Sequence, residues 1–365
     1  MDTALTQAWP TPTRPTPIVL IGAGAIARTA HLPAYQRLRF PVAGVFDINS
    51  DVARATADSF RIGQVFETVD QACTAGAVVF DLAVPGDQIL AILERLPVGA
   101  AVLIQKPMGR DLAEARRILQ CARDRRLVAA VNFQLRFSPG MLALHDLLEH
   151  DALGALVDID VRIVIDQPWH LWTFMERAPR LEIVYHSIHY LDAIRWLAGE
   201  PSGAYCRAVA HPDMPRLRDT RSSIILNYGD HLRCSLVMNH THRAGPQHRT
   251  SQLIVEGTRG AARLTWGVNL SYPSGPPDTM EVAIGGGGWQ EVPLRGSWFI
   301  EAFEGPMSNL QRYVAGEDPI LMGAVDDAIK TMAVTEACYQ SSDGGGTPIP
   351  ALDRFEGGGA GGGSH

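Results

Sequence analysis

The sequence predicts an α/β protein of two domains, a doubly wound parallel sheet followed by an α/β domain built on a large open, mostly antiparallel sheet. Three observations carry this. The first third alternates short β-branched apolar runs with amphipathic helical stretches. The first run, "IVLI", passes into a small-residue turn, Gly22-Ala23-Gly24-Ala25-Ile26-Ala27, and then into a helix. After about Arg136 the pattern changes to hairpin-spaced strands.

Taken in order, "IVLIG" is the first strand and Ala25 to Leu38 the first helix. "PVAGVFD", "AVVFDLAV", "AAVLIQKP" and "LVAAVNF" supply four more strands, separated by helical "NSDVARATADSF", "DQILAILERL" and "DLAEARRILQCARDRR". The last of these has Asp111 at its start and arginines in its final turn, where each sign suits the helix dipole. Beyond Arg136, "PGMLALHDLLEH" reads as helix, and "ALVDIDVRIVI" alternates like a half-buried strand. "EIVYHSIHYLDAIRWLAG" is a helix stopped by Gly199 and Pro201. Six strands come next, "YCRAVAH", "RSSIILNYG", "HLRCSLVMNH", "SQLIVEG", "AARLTW" and "MEVAIGG", with turns at Tyr228-Gly229-Asp230 and Thr258-Arg259-Gly260. Two helices, "FEGPMSNLQRYVAG" and "AVDDAIKTMAVTEACYQSS", finish the chain. The expected division is a disordered Pro/Thr arm at 1–16, a first domain at 17–136, a second at 137–350 and a flexible Gly-rich tail at 351–365.

A length of 365 residues supports two hydrophobic cores, and a formal charge of −7 argues against a nucleic-acid partner, which would need a concentrated basic face. No apolar run approaches the roughly 20 residues that span a bilayer, so no membrane partner is expected. Five scattered cysteines without a CxxC pair fit a reducing, cytoplasmic setting. The alternating His240 and His242 lack the cysteine pair or HExxH that a zinc site would need, so no metal is expected, although these histidines can border a cleft.

The glycine turn is where chemistry enters. A turn of this kind leaves backbone N–H groups uncovered at a helix N-terminus, a ready seat for a pyrophosphate. Gly22 permits the turn, Gly24 lets a phosphate approach the backbone, and Ala27 allows close helix–strand packing. The second strand ends in Asp47, placed to accept hydrogen bonds from a ribose and to repel a 2′-phosphate, so the expected cofactor is NAD rather than NADP. The simpler reading of Asp47 is a cap for the next helix.

Lys106 stands just past an apolar strand, where ligands of doubly wound sheets sit; a lysine partly desolvated there has a lowered pKa and can take the proton of a hydroxyl. The competing reading is a solvent-facing turn lysine. On a regular helix Tyr185 and His189 share one face, as do His186 and Tyr190, while Asp192 either orients His189 or pairs with Arg195 or Arg136. Trp169, His170 and Trp172 combine aromatic faces with a polar donor, which suits a sugar ring, or else fill an interdomain seam.

These motifs together resemble the glucose–fructose oxidoreductase, inositol dehydrogenase and MocA family. The resemblance rests on the Gly22–Ala27 turn, Asp47, Gln105-Lys106-Pro107, Arg136-Phe137-Ser138-Pro139, Ile188-His189-Tyr190-Leu191-Asp192, Arg195-Trp196-Leu197-Ala198-Gly199 and the stretch "LIVEGTRGAARLTW". It implies a Rossmann domain, an open-sheet second domain that forms homodimers or homotetramers, and NAD-dependent oxidation of a sugar, cyclitol or related polyol. It also implies a dinucleotide held by Gly22, Gly24, Ala25, Ile26, Asp47, Val84, Pro85, Gln105, Lys106 and Gln134, with Lys106, Tyr185 and His189 at the chemistry. The substrate would be met by Lys106, Trp169, His170, Trp172, Tyr185, His186 and His189. Three departures stand out: Gln105 for the usual Glu, Ile89 where a His is frequent, and Tyr185 for an Asp four residues before the His. Lys106 is therefore the expected proton acceptor, His189 its partner, and Tyr185 a residue that positions substrate. The alternatives are a lyase, epimerase or glycoside-cleaving enzyme that oxidises transiently with retained NAD, and a non-catalytic dinucleotide sensor.

Overall fold

The computed structural model describes residues 5–349. Strands β1 (Ile18–Ile21), β2 (Val42–Phe46), β3 (Val79–Leu82), β4 (Ala101–Ile104) and β5 (Val128–Val131) form a parallel sheet in the order β2-β1-β3-β4-β5. β1, β3 and β4 are buried along their whole length, as continuous apolar runs in a sheet covered on both faces should be. The order reverses at β1, whose neighbours are β2 and β3, so a crevice opens beyond its carboxyl end.

The second sheet has eight strands: β6 (Leu156–Val164), β7 (Gly203–Val209), β8 (Arg221–Asn227), β9 (Arg233–Asn239), β10 (Thr250–Gly257), β11 (Gly260–Thr265), β12 (Thr279–Ile284) and β13 (Gln290–Val292). Their order is β13-β12-β11-β10-β6-β9-β8-β7, antiparallel except for the parallel pair β6–β9. One face is core. On the other face of β8, residues alternate outward, and Tyr205 of β7 pairs with Ile225 of β8 there at 66% and 51% exposure. The short β13 has no periodic signal in the sequence, because its three residues come after a glycine run that breaks any period.

The two domains are stitched together. The helix Glu304–Val314 returns from the second domain to cover the first sheet, burying Met307 and Leu310 against its core. Arg136 donates to both oxygens of Asp192 at 2.6 Å and to Asp327 at 2.8 Å, while Arg195 reaches Asp327 and Glu200. Asp192 thus serves this buried ion cluster and does not orient His189. Among the described residues no helix is long and apolar enough to cross a membrane.

The N-terminal arm departs from expectation where it is described. Residues 5–16 run as a strap: Trp9 stacks edge-on to Phe137 at 5.3 Å and donates from Nε1 to Asp318 at 2.8 Å. The Thr16 N–H reaches Gln311 at 2.7 Å. Proline and threonine dictate an extended conformation, but not whether side chains anchor it. The glycine tail at 351–365 lies outside the described residues.

Candidate active site

The helix expected at Ala25–Leu38 forms, with one π turn at Ala27–His31. Pro33 has no N–H to donate to the carbonyl four residues back, and a wider turn absorbs that loss. Gly22 has φ +96°, and a Cβ there would lie 2.5 Å from the Ala83 carbonyl oxygen. Only glycine fits. At Gly24 a Cβ would meet no protein atom within 4 Å, so the chain leaves open space beside the turn. That open cradle, at the start of a helix, fits a dinucleotide phosphate. Asp47 braces the turn from below: its carboxylate accepts from the Ala23 and Asn49 N–H groups, both at 2.8 Å. The cap of the next helix is Asn49, which accepts from Asp51 and Val52, so Asp47 is not the cap.

Below the turn lies a buried polar network. His31 Nδ1 meets Asp81 at 2.8 Å, and Asp81 also accepts from the Tyr35 hydroxyl at 2.7 Å. His31 Nε2 faces the side-chain amides of Gln105 at 3.1 Å and Asn132 at 3.3 Å. With Nδ1–H donating to Asp81, Nε2 accepts from both amides, and the Gln105 oxygen is left to accept from the Lys106 N–H at 2.8 Å. Glutamine is the residue type that supplies both a donor and an acceptor there. A glutamate would supply acceptors alone.

Between the domains a cavity of about 400 Å³ is lined by Gly24, Ala25, Ile26, Val84, Pro85, Gln105, Lys106 and Gln134 from the first domain. From the second domain come Trp172, Tyr185, His186 and His189, together with His240, Asn269, Tyr272, Trp298 and Phe299. Lys106 crosses the boundary, donating from Nζ to the Tyr185 backbone carbonyl at 2.8 Å. Burial pushes its pKa down to about 8. Burial and the nearby Lys106 charge hold His189 well below the usual imidazole range; burial, then His240, Lys106 and His189, do the same to His186. Both imidazoles are therefore neutral at neutral pH.

A second π turn, at Ile183–Ser187, changes the expected helix face. The extra residue per turn re-aims the side chains after it. His186 and His189 both come within electrostatic reach of Lys106, while the Tyr185 phenol, pushed up by burial, sits near the charges of Asp87, Arg110 and Glu114. Tyr185 meets Lys106 through its backbone oxygen. Trp172 lines the cavity, but Trp169 lies behind the wall, its ring 5.1 Å from His186 and its Nε1 donating to the His240 carbonyl at 3.2 Å. His170 is exposed and outside the lining, because the tight turn Trp169–Leu171 sends successive side chains apart. Gly22 and Asp47 stand under the turn, also outside the lining.

His240 is in the wall, as is Trp298, which no motif or spacing in the sequence singles out. Trp298 is delivered by Asp278, whose carboxylate accepts from the Gly267 N–H at 2.8 Å and the Trp298 N–H at 2.6 Å. Among the described residues no group of three or more His, Cys, Asp or Glu side chains is arranged to hold a metal ion.

Comparison with known proteins agrees with this layout. Residues 17–133 match the model of an oxidoreductase family with an NAD-binding Rossmann fold, and residues 141–263 match the GFO/IDH/MocA C-terminal domain. A D-apiose dehydrogenase of Paraburkholderia graminis is 26% identical, over 90% of this chain and 88% of the relative. An inositol 2-dehydrogenase of Gluconacetobacter diazotrophicus is 27% identical, over 57% of this chain and 63% of the relative. Among solved structures, an oxidoreductase from Agrobacterium radiobacter in complex with NAD+, L-tartaric acid and magnesium superposes with a TM-score of 0.76 at 18% identity, covering 91% of this chain and 97% of that one.

Proposed function

The chain belongs to the Gfo/Idh/MocA oxidoreductase family, with an NAD-binding Rossmann domain, and from that premise we propose that it oxidises a hydroxyl carbon of a sugar, cyclitol or related polyol with NAD. The single observation that carries the reading is the convergence of Lys106 and His189, one from each domain, on one cavity beside the glycine turn. The names of the D-apiose and inositol relatives support the substrate class.

When bound, the nicotinamide supplies the hydride acceptor. Everything else falls to the chain. The Gly22–Ala27 turn would seat the pyrophosphate, and Asp47, bonded to that turn at the end of β2, would disfavour a 2′-phosphate. Lys106, a neutral amine in a useful fraction of molecules because burial lowers its pKa to about 8, accepts the hydroxyl proton at Nζ. His189, neutral and lining the cavity, bonds a substrate hydroxyl through its ring and fixes which carbon faces the cofactor. The aromatic walls, Trp172, Tyr272 and Trp298, cover the apolar face of a ring. Tyr185 positions substrate through its ring. The outward apolar pair Tyr205–Ile225 supports self-association through the second sheet into a homodimer or homotetramer, which light scattering of the purified chain tests.

The test is to follow reduced-nicotinamide absorbance while screening aldoses, inositols and glycosides with NAD and NADP separately. The reading expects turnover with at least one polyol and a preference for NAD. Product formation without accumulation of reduced cofactor would point instead to transient oxidation, and strict use of NADP would overturn the role given to Asp47.

A further inference from the structure

Behind the cavity lies a carboxylate that the proposed chemistry does not use. Glu182 is fully buried, at 0% exposure, and among the described residues it has no arginine or lysine partner. Its Oε1 accepts from Ser187 at 2.5 Å and its Oε2 from Ser222. His240 presents Nδ1 to this carboxylate at 3.6 Å, and that nitrogen has no other protein partner. The His240 ring lies 4.6 Å from the His186 ring, whose own Nδ1 is also unpartnered and buried. His186 in turn is within electrostatic reach of Lys106. A buried anion is costly without a counter-ion, so its position at the end of a row of unfinished imidazoles needs a reason.

We propose that His186, His240 and Glu182 form a buried proton relay that draws the proton from Lys106 after the substrate hydroxyl is oxidised and holds it on the Glu182 carboxylate. This rests on the dehydrogenase reading above. Each transfer balances. An ammonium proton of Lys106 passes to one nitrogen of His186 while the proton on its other nitrogen passes to His240. His240 then gives its Nδ1 proton to Glu182. Lys106 ends as a neutral amine, Glu182 as a neutral acid, and both imidazoles stay neutral with their protons on the opposite nitrogen. Return along the same path, once product leaves and water enters, puts the proton back on Lys106, which gives it to that water and becomes the neutral amine of the starting state. His186, His240 and Glu182 do not touch the reacting carbon; they act through Lys106.

The proton affinities suit the task. Burial raises Glu182 to about 7, partly offset by the Ser187 and Ser222 bonds and reinforced by Asp219; Tyr190, Cys338 and Tyr339 are the other titratable groups facing it. Burial lowers Lys106 to about 8, toward Glu182, so the proton can move in either direction between them. Burial takes His240 down to about 3, which forbids a resting imidazolium and favours passage through neutral tautomers.

The test compares E182Q, H240Q and K106M with the wild-type chain, using NAD with D-apiose and with myo-inositol. The relay predicts that E182Q and H240Q lower steady-state kcat by about tenfold to a hundredfold, keep KM, keep a normal first turnover of hydride transfer, and lose the acid limb of kcat near pH 7 set by Glu182. Folded variants with wild-type kcat and an unchanged limb overturn it. In that case an inactive K106M leaves the dehydrogenase reading standing, whereas a fully active K106M removes the reading as well. A second measurement needs no substrate: the protonated-carboxyl band in infrared spectra should titrate near pH 7, vanish in E182Q and shift its midpoint in H240Q. A Glu182 that stays ionised through that range, or a midpoint indifferent to H240Q, contradicts the relay.

Discussion

Two buried polar clusters lie in the two domains, one around His31 and one holding His186, His189 and His240, and their imidazoles are finished differently. Under the glycine turn, both ring nitrogens of His31 are engaged, by Asp81 on one side and by Gln105 and Asn132 on the other. Across the cavity, His186, His189 and His240 each keep an Nδ1 without a protein partner. Burying an unpaired polar nitrogen costs about 1–3 kcal/mol, so three in one wall are tolerated only where something else completes them. The first cluster holds the turn and the strand ends in place. The second leaves buried ring nitrogens unfilled beside the cavity.

The comparison can be broken at each cluster. The largest effect belongs to the open side: K106M should lower kcat/KM for polyol oxidation by about a thousandfold while the melting temperature and NAD affinity stay close to wild type, as steady-state kinetics and calorimetry will show. Next, H189N should cost about a hundredfold in kcat/KM with little loss of stability. H31A reverses the pattern, leaving Asp81, Gln105 and Asn132 short of partners and costing about 2–4 kcal/mol in denaturant unfolding. Equal stability losses for H31A and H189N would erase the distinction between the clusters.

The glycine turn offers a sharper pair. G22A meets both a positive φ and the Ala83 carbonyl, so it should destabilise the fold by about 2–3 kcal/mol. G24A meets no protein atom, so it should leave unfolding unchanged and weaken NAD binding, read by titration calorimetry. The smallest effect is in pH. Lys106 accepts a proton only as the free amine, so the first-turnover oxidation rate should rise with pH and level off above about 8, and K106M should lose that limb.

Much of this is legible in residue order. The strand–helix alternation, the glycine turn and the change of pattern after Arg136 come from short-range periodicity, which backbone geometry enforces locally. Lys106, Gln105, Val84, Pro85 and Gln134 line one cavity because strand ends in a parallel sheet share one edge, and His189 joins them from the second domain's helix Ile188–Ala198. Side-chain aim is not legible where a helix departs from 3.6 residues per turn: with the π turn at Ile183–Ser187, Tyr185, His186 and His189 all line the cavity, where a regular helix would pair Tyr185 with His189 alone. Nor is the role of Asp192 decidable among its three candidate partners, since Arg136 and Asp327 come from distant segments. Trp298 and Glu182 reach the site through long-range contacts with Asp278 and His240, which no local spacing announces. The strap at residues 5–16 belongs to the same class, its one clue being a tryptophan amid prolines.

The most direct test of the account is a crystal structure of the chain with NAD and a polyol that it turns over. The account predicts the reacting hydroxyl on Lys106 Nζ, a neighbouring hydroxyl on His189, and His31 unchanged in its bonds to Asp81 and Gln105. A polyol bound away from Lys106 and His189 would contradict it.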